Sequence, residues 1–286
     1  MDIFEKNSQR KRFISNYKMQ VLINYANSTY DSVRKWNSFT GKYIAHFDKI
    51  YNFGPNDIDS TFRDSYSHIL NIQRGNGLWL WKPYFINKVI EQLEDGDILF
   101  YCDSGAFFIR SPKSIMALIN KDNPLFVCDI PLIESCFTKP KCFEKMGLNE
   151  ANYKNSNQII ATYFCFMITP FTREFMKEWF SLCCDYELIS PEGLKKQDII
   201  QHNYGKKFVT HREDQSIFSL LCKKYRVLPH KDFSQRGLKP KSYYSPFYTY
   251  KEPYHPHDTY KPIIFLHKAP KFTIKWLIRY LYHHFK

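Results

Sequence analysis

A short acidic motif at the end of an apolar run carries the most specific chemistry in this sequence. Residues 96–105 read Gly-Asp-Ile-Leu-Phe-Tyr-Cys-Asp-Ser-Gly, so that Asp103 follows an apolar stretch and precedes a turn at Ser104 and Gly105. Ligands of open α/β sheets collect beyond the carboxyl ends of the strands. A carboxylate placed there suits a hard divalent cation, such as Mg²⁺ or Mn²⁺, that also holds a diphosphate. The simpler interpretation is a buried strand that ends in an Asp-Ser-Gly turn.

A second group of residues, 74–83, reads Arg-Gly-Asn-Gly-Leu-Trp-Leu-Trp-Lys-Pro. Its glycines allow the backbone to approach a ligand closely, and Arg74 and Lys82 can neutralise phosphate. Trp79 or Trp81 offers a flat face for a sugar or a base. The alternative is the start of a hydrophobic helix whose tryptophans pack in the core.

Polar residues also crowd a predicted helix start at residues 210–216, Thr-His-Arg-Glu-Asp-Gln-Ser. Thr210 as the N-cap and Glu213 at the reciprocal capping-box position would explain two of them without catalysis. The remaining polar residues at this helix start are His211, Arg212, Asp214 and Gln215. Because the positive end of a helix favours anions, it is a suitable place for a carboxylate, a leaving diphosphate or both.

Weaker candidates lie at the ends of other apolar runs. His267 and Lys268 follow one such run; a neutral imidazole can bind Mn²⁺, and an ammonium offsets charge on a leaving group. A lone histidine in a strand is usually structural. Asn24 and Tyr25 end the first predicted strand, and Glu134 lies just past another strand end.

The order Arg-Gly-x-Gly-x-Trp-x-Trp-Lys-Pro, followed by Gly-Asp-Ile-Leu-x-Tyr-x-Asp-x-Gly, resembles a group of bacterial glycosyltransferases. These enzymes have the GT-A fold, use nucleotide sugars, and act in capsule and lipopolysaccharide synthesis. The resemblance is detailed over residues 74–105 and extends over residues 19–225. Gly105 departs from the pattern, because many members carry a second Asp there.

The resemblance implies a role for each candidate residue. It implies a metal site at Asp103 and His267 for Mn²⁺ or Mg²⁺. Residues implied to bind the nucleotide and its diphosphate are Asn24, Tyr25, Arg74, Lys82, Asp103, Ser104 and Lys268. Asp214, or Glu213 as second candidate, would deprotonate the acceptor hydroxyl in an inverting member, whereas in a retaining member the polar residues line the reacting face. Residues implied to contact sugar or acceptor are Trp81, Glu134, His211, Arg212 and Gln215, with Glu134 also an alternative base.

Strands alternating with helices must position these residues. Apolar runs predict strands at 19–24, 49–53, 98–102, 125–130 and 161–168, with helices between them and a further helix at 213–225. Such alternation predicts an α/β fold with a doubly wound, mainly parallel sheet flanked by helices, as in the GT-A (Rossmann-like) fold. We expect a flexible basic segment at 1–18, a single domain at 19–270 and a basic amphipathic C-terminal helix at 271–286. Residues 135–158, 186–208 and 229–262 are expected to be surface excursions or long loops.

Composition limits the possible classes of protein. The chain has 286 residues, 44% of them hydrophobic, which suffices for one sizeable α/β domain. No signal peptide is apparent, and no apolar run approaches the ~20 residues that span a bilayer. The eight cysteines include no C-x-x-C pair, which favours reduced core thiols in a cytoplasmic protein.

The net charge of +13 is compatible with nucleic acid, an anionic membrane or phosphate-bearing substrates as partners. No recognisable nucleic-acid-binding motif accompanies the charge, so nucleic acid is not the expected partner. Residues 271–286 contain four Lys or Arg, two His and no acid, interleaved with aromatic residues. This pattern favours peripheral contact with a membrane, the alternative being a helix packed on its own domain.

These observations predict a metal-dependent glycosyltransferase at the inner face of the cytoplasmic membrane. It would move a sugar from a nucleotide donor, expected to be a UDP-sugar, to a glycan or lipid-linked glycan of capsule, O-antigen or lipopolysaccharide. One alternative is a nucleotidyltransferase that forms nucleotide sugars, but Asn-Tyr-Ala-Asn-Ser at 24–28 is not the basic, glycine-rich loop expected after its first strand. The other is a non-catalytic protein that binds membrane or nucleic acid through charge alone.

Overall fold

The computed structural model describes residues 18–193, 207–244 and 249–271, together with 273, 278, 281 and 282. The strands are β1 (Gln20–Tyr25), β2 (Lys49–Phe53), β3 (Ile98–Cys102), β4 (Ala106–Phe108), β5 (Leu125–Phe126), β6 (Asp129–Ile133), β7 (Asn157–Ile159), β8 (Tyr163–Met167) and β9 (Ile264–Leu266). The α-helices are α1 (Asp31–Tyr43), α2 (Ser60–Ser65), α3 (Ser67–Leu70), α4 (Gly75–Leu78), α5 (Trp81–Ile90), α6 (Lys113–Met116), α7 (Glu134–Phe137), α8 (Pro140–Lys145), α9 (Ala151–Lys154), α10 (Pro170–Cys184), α11 (Tyr186–Ile189) and α12 (Glu213–Lys224). Short 3₁₀ turns occupy Pro55–Asp57 and Pro240–Tyr243.

The main sheet has five strands in the order β2-β1-β3-β8-β5. Strand β1 is parallel to both of its neighbours, and only β8 runs in the opposite direction, antiparallel to β3 and β5. The predicted α/β fold with a mostly parallel sheet flanked by helices is confirmed. Two smaller antiparallel pairs, β4 with β9 and β6 with β7, extend the structure beyond the carboxyl ends of the main strands.

Both faces of the main sheet are buried, because successive side chains of its strands enter different cores. In β1, Val21 and Ile23 join one apolar cluster and Leu22 joins the other. In β3, Leu99 and Phe100 divide in the same way. This two-sided burial explains why the strands read as nearly continuous apolar runs rather than as alternating ones.

Local sequence sets where α10, the longest helix in the described part of the chain, begins. Thr169 has extended backbone and its Oγ1 accepts a hydrogen bond from the Thr172 amide at 3.1 Å, while Pro170 occupies the first helical position. Proline suits that position because its missing N–H would have no partner within the helix. Thr169 and Pro170 therefore set the start of α10.

Two predicted segments differ from the structure. The strand expected at 125–130 ends at Phe126, and Asp129–Ile133 pairs with β7 in a separate sheet. The segment 135–158, expected as a surface excursion, contains three short helices and contributes Phe137 and Phe143 to the buried cores. Most of its Lys and Asn residues are at least partly exposed, although Lys139 and Asn157 are buried, and their abundance concealed the apolar residues between them.

The two ends of the chain are described only in part. Residues 1–17 and most of 272–286, which hold the predicted basic N-terminal segment and C-terminal helix, lie outside the described residues. Ile278, Leu281 and Tyr282 are helical, with exposures of 63%, 41% and 48%. Within the described part of the chain, no helix has the length and apolar character needed for a membrane span.

Candidate active site

A cavity of about 530 Å³ opens at the carboxyl ends of β1 and β3. Residues singled out from the sequence line it, and they come from distant parts of the chain: Tyr25, Trp79, Trp81, Asp103, Ser104, Gly105 and Lys268. The end of β1, the start of α5, the turn after β3 and the segment after β9 thus meet at one place. This position matches the rule that ligands bind beyond the strand ends of an open α/β sheet.

Asp103 is fixed at the end of β3 by its backbone and by one carboxylate oxygen. Its amide donates to the Thr162 carbonyl at 2.8 Å, and its Oδ1 accepts a hydrogen bond from the Tyr101 hydroxyl at 2.5 Å. The Lys82 ammonium lies 3.6 Å from the same oxygen. The side chain is 29% exposed, so this carboxylate is held by the protein and still reaches the cavity.

The turn after Asp103 ties three elements together. The buried Ser104 hydroxyl donates to the Tyr25 carbonyl at 2.6 Å, which joins the ends of β3 and β1. The Gly105 carbonyl accepts from the amides of His267 and Lys268, both at 2.9 Å. A Cβ at position 105 would lie 3.3 Å from the Lys268 Cα. A side chain at position 105 would therefore crowd the segment after β9.

Aromatic side chains form one wall of the cavity. Tyr25 and Trp81 stack with ring centroids 3.7 Å apart and an interplanar angle of 14°. The Trp81 indole N–H donates to the Gly75 carbonyl at 2.9 Å, and the Asn76 amide donates to the Tyr25 hydroxyl. Trp79, which is partly exposed, completes this wall. Stacking on Tyr25 covers one face of Trp81, so the flat surface predicted for Trp81 is shared with Tyr25.

The two acids at the start of α12 are buried and paired with cations. Glu213 Oε1 accepts from Arg74 Nε at 2.6 Å, and Asp214 Oδ2 lies 2.7 Å from the Lys82 ammonium. Neither acid is among the residues that line the cavity. The expected N-cap at Thr210 is wrong, because the N-cap position belongs to Arg212, which makes no side-chain capping bond.

Burial and neighbouring charges shift the pKa values of the buried pair Asp214 and Lys82 in opposite directions. Burial raises the pKa of Asp214 to about 7, against the stabilising effect of the Lys82 ammonium on the carboxylate. Burial alone would lower the pKa of Lys82, but the carboxylates of Asp103 and Asp214 more than compensate and hold it above its ordinary value. Lys82 also donates to the Ala161 carbonyl at 3.1 Å. Lys82 is therefore a cation enclosed by protein groups, with a side chain only 3% exposed.

The remaining residues predicted near α12 make internal contacts. The buried His211 ring hydrogen-bonds the Leu188 carbonyl through Nε2 at 2.9 Å. Arg212 lies over the Phe137 ring at 4.7 Å. Gln215 donates to the Gln158 side-chain carbonyl at 2.8 Å. These three predicted residues are not among those that line the cavity.

Glu134 and Asn24 also lie away from the cavity lining. Glu134 is fully buried, forms an ion pair with Lys223 and accepts from the Ser219 hydroxyl at 2.5 Å. The Asn24 amide donates to the Asn37 side-chain carbonyl at 2.9 Å, toward α1. Both side chains therefore connect packed elements of the fold.

His267 lies beside the cavity, but its ring is not part of the lining. Its Nδ1 accepts from the Ala269 amide at 3.1 Å, and its ring lies against Phe107 with centroids 5.9 Å apart. Burial lowers the pKa of His267 to about 4, so the imidazole is neutral at physiological pH. Within the described residues, no group of three or more His, Cys, Asp or Glu side chains is arranged to hold a metal ion. Asp103 is the carboxylate that the described residues present to the cavity.

Several lining residues were missed by the sequence interpretation. Asn76 and Thr162 line the cavity, and Tyr101 holds Asp103. Tyr101 could have been found, because residues two apart on a strand share a face. Thr162 could not, since its position depends on the antiparallel pairing of β3 with β8, which no local pattern specifies.

No family model matches the sequence, and no curated protein matches it. The chain is nevertheless similar to solved glycosyltransferases over most of its length. It is 14% identical to galactosyltransferase LgtC in complex with donor and acceptor sugar analogues, covering 84% of this chain and 91% of that one, with a TM-score of 0.39. It is 6% identical to mouse xyloside xylosyltransferase 1, covering 87% of this chain and 97% of that one, with a TM-score of 0.44. It is 15% identical to the glycosyltransferase GlyE of Streptococcus pneumoniae, covering 94% of this chain and 61% of that one, with a TM-score of 0.46.

Proposed function

We propose that the protein is a metal-dependent glycosyltransferase and that the cavity beyond β1 and β3 is its nucleotide-sugar site. The observation that carries the proposal is the combination of groups in one cavity of about 530 Å³: the carboxylate of Asp103, the residue Lys268 and the aromatic wall. A nucleotide sugar offers a complementary set, namely a diphosphate with its cation and a flat base. The volume lies in the range of small-molecule sites.

The aromatic wall supports binding of the nucleotide base. Bases stack on aromatic side chains with a free energy of about 1–3 kcal/mol per base. Trp79 offers a partly exposed ring next to the stacked pair of Tyr25 and Trp81. Asn76, held against Tyr25, adds an amide beside the rings. We expect uridine as the base, following the resemblance described from the sequence.

Asp103 and Lys268 would bind the diphosphate end of the donor. When bound, a divalent cation neutralises the charge that develops on the leaving diphosphate. Asp103 fits a cation ligand because it is anchored through Oδ1 and reaches the cavity. A bond from His267 would come from Nε2, since Nδ1 accepts from Ala269. Because the described residues do not converge as a metal cluster, oxygens of the donor diphosphate would complete the coordination.

We propose a surface glycan, free or lipid-linked, as the acceptor, reached by peripheral contact with the inner face of the cytoplasmic membrane. The net charge of +13 favours attraction to anionic lipids. Three aromatic side chains of α1, Trp36, Phe39 and Tyr43, are 40%, 49% and 57% exposed, and Ile278 near the C-terminus is 63% exposed. Aromatic residues of this kind favour the boundary between lipid and water.

Thermal unfolding with UDP, GDP, CMP or the nucleoside triphosphates UTP and GTP, each with and without Mn²⁺, tests the proposed donor site. A ligand that binds only the folded state raises the midpoint temperature of unfolding. At a hundredfold excess over Kd, it adds about 2.7 kcal/mol to the free energy of unfolding. We expect a shift with UDP and Mn²⁺ together and little with either alone. A shift with nucleoside triphosphates but not with UDP would favour a nucleotidyltransferase. No shift with any nucleotide would refute the donor site.

A further inference from the structure

The short element α4 in the cavity wall does not have right-handed α-helical backbone, and its conformation is unfavourable. Five consecutive residues have positive φ: Gly75 (61°), Asn76 (53°), Gly77 (96°), Leu78 (53°) and Trp79 (62°). Residues other than glycine rarely adopt this region, and surrounding contacts must stabilise them there. The segment nevertheless supplies part of the aromatic wall of the cavity, so something outside it must hold its shape.

Two ion pairs connect this segment to the start of α12; the acid of each pair is buried, whereas the Arg74 side chain is 42% exposed. Arg74, at its beginning, binds Glu213 through two bonds, Nε to Oε1 at 2.6 Å and Nη2 to Oε2 at 3.3 Å. Lys82, just after it, lies 2.7 Å from Asp214. The acid side chains are 3% and 5% exposed. Two adjacent acids therefore bind the two cations that flank the strained backbone.

From this arrangement we infer that Glu213 and Asp214 are positioning residues that clamp residues 74–82 and thereby shape the nucleotide-sugar site. The link from clamp to donor binding rests on the proposed function, whereas the clamp itself does not. Under this inference neither acid takes the proton of the acceptor hydroxyl. The resemblance to GT-A enzymes implies a base at Asp214 or Glu213, yet both side chains are enclosed and paired.

Lys82 extends the clamp to the sheet. Its ammonium lies 3.6 Å from Asp103 Oδ1 and donates to the Ala161 carbonyl at 3.1 Å. One cation thus contacts the end of β3, the residues before β8 and the start of α12. Removing one partner of a buried ion pair leaves the other charge without compensation. The clamp should therefore fail locally when either cation is lost.

Hydrogen exchange tests the clamp without any substrate. In Arg74→Met and in Lys82→Met, we expect the amides of residues 77–80 to exchange roughly tenfold faster or more, because exchange follows the free energy of local opening. Lys224→Met is the matched control: it breaks a 2.6 Å ion pair with Glu178 at the other end of α12. Unchanged exchange at residues 77–80 in the first two variants would overturn the inference.

A paired variant covers the case in which Lys82→Met does not fold. Lys82→Met combined with Asp214→Asn removes both charges, so no uncompensated carboxylate remains in the pair. We expect this protein to fold and still to show fast exchange at residues 77–80, since the connection is lost. If the amides of residues 77–80 in the folded double variant exchanged as slowly as in the wild type, the clamp inference would be overturned.

Donor binding separates a clamp from a catalytic base. If Glu213 positions the wall, Arg74→Met and Glu213→Gln should each weaken UDP affinity on the order of tenfold, and Arg74→Lys should recover part of the loss. If Glu213 were the base, Glu213→Gln would lower kcat and leave UDP affinity and the wild-type KM intact, which would overturn the inference. Failure of the wild-type protein to bind UDP would refute the proposed function, and hydrogen exchange would still decide the clamp.

Discussion

Replacing His211 by Gln should remove a large part of the pH dependence of stability. His211 is fully buried, its Nε2 hydrogen-bonds the Leu188 carbonyl at 2.9 Å, and its Nδ1 accepts from the Lys139 amide at 3.4 Å. An imidazole that accepts a backbone N–H at Nδ1 must be neutral. Burial lowers the pKa of His211 to about 3, with the nearby Lys139 ammonium acting in the same direction.

Proton linkage gives the direction and the size of the change in stability with pH. The pKa is about 3 in the folded state and 6.5 in the unfolded state, so between these values the unfolded chain binds more protons. The stability that neutral His211 supports is complete above pH 6.5 and declines as the pH falls toward 3. With 1.36 kcal/mol for each pH unit, the loss between pH 8 and pH 5 is about 2 kcal/mol. Glutamine does not titrate and escapes this loss.

Urea unfolding at pH 8, 7, 6 and 5 measures the effect. At pH 8, His211→Gln should be less stable than the wild type by about 1–3 kcal/mol, because the Lys139 amide loses its acceptor. The difference should shrink by about 2 kcal/mol on going to pH 5. His257→Asn, at an exposed position, is the control and should parallel the wild type. A constant difference between His211→Gln and wild type at all four pH values would refute the burial argument.

Three further outcomes are expected. Asp103→Asn should abolish sugar transfer and make UDP binding independent of Mn²⁺; normal turnover would remove Asp103 from the proposed metal site. Lys223→Met should lower the free energy of unfolding in urea by about 3–5 kcal/mol, because Glu134 would remain buried without its cation. Lys224→Met, at an exposed position, should lower it by at most about 1 kcal/mol. Equal losses in the two variants would contradict this interpretation of Glu134. Deletion of residues 272–286 should weaken pelleting with anionic vesicles but not with neutral ones, and unchanged pelleting would locate membrane contact elsewhere.

The strands that position the site were predictable because their signals are local. Lys49–Phe53 and Ile98–Cys102 have the predicted bounds, since each is a short run rich in apolar or aromatic residues bordered by glycine. The turn at Ser104 and Gly105 also follows from residue type. The position of Asp103 at a strand end therefore needed no tertiary information.

The partners of the charged residues were not predictable, because they depend on contacts between distant segments. Arg74 and Glu213 are 139 positions apart, and nothing in either segment identifies the other. The sequence shows that Lys82 is cationic, which is compatible with phosphate, yet burial pairs it with Asp214 instead. The same reasoning applies to Glu134, whose charge suggested catalysis and whose burial gives it a partner within the fold.

The pairing of Glu213 and Asp214 with cations has a consequence for metal affinity. The pairs Arg74–Glu213 and Lys82–Asp214 each neutralise themselves, so Asp103 supplies the negative charge that the described residues direct into the cavity. Divalent cations prefer several oxygen ligands, and one carboxylate close to a lysine ammonium, 3.6 Å away, attracts a cation weakly. The donor diphosphate would supply the remaining oxygens and charge. Mn²⁺ should therefore bind the UDP complex much more tightly than the free protein, and by thermodynamic reciprocity Mn²⁺ should strengthen UDP binding by the same factor.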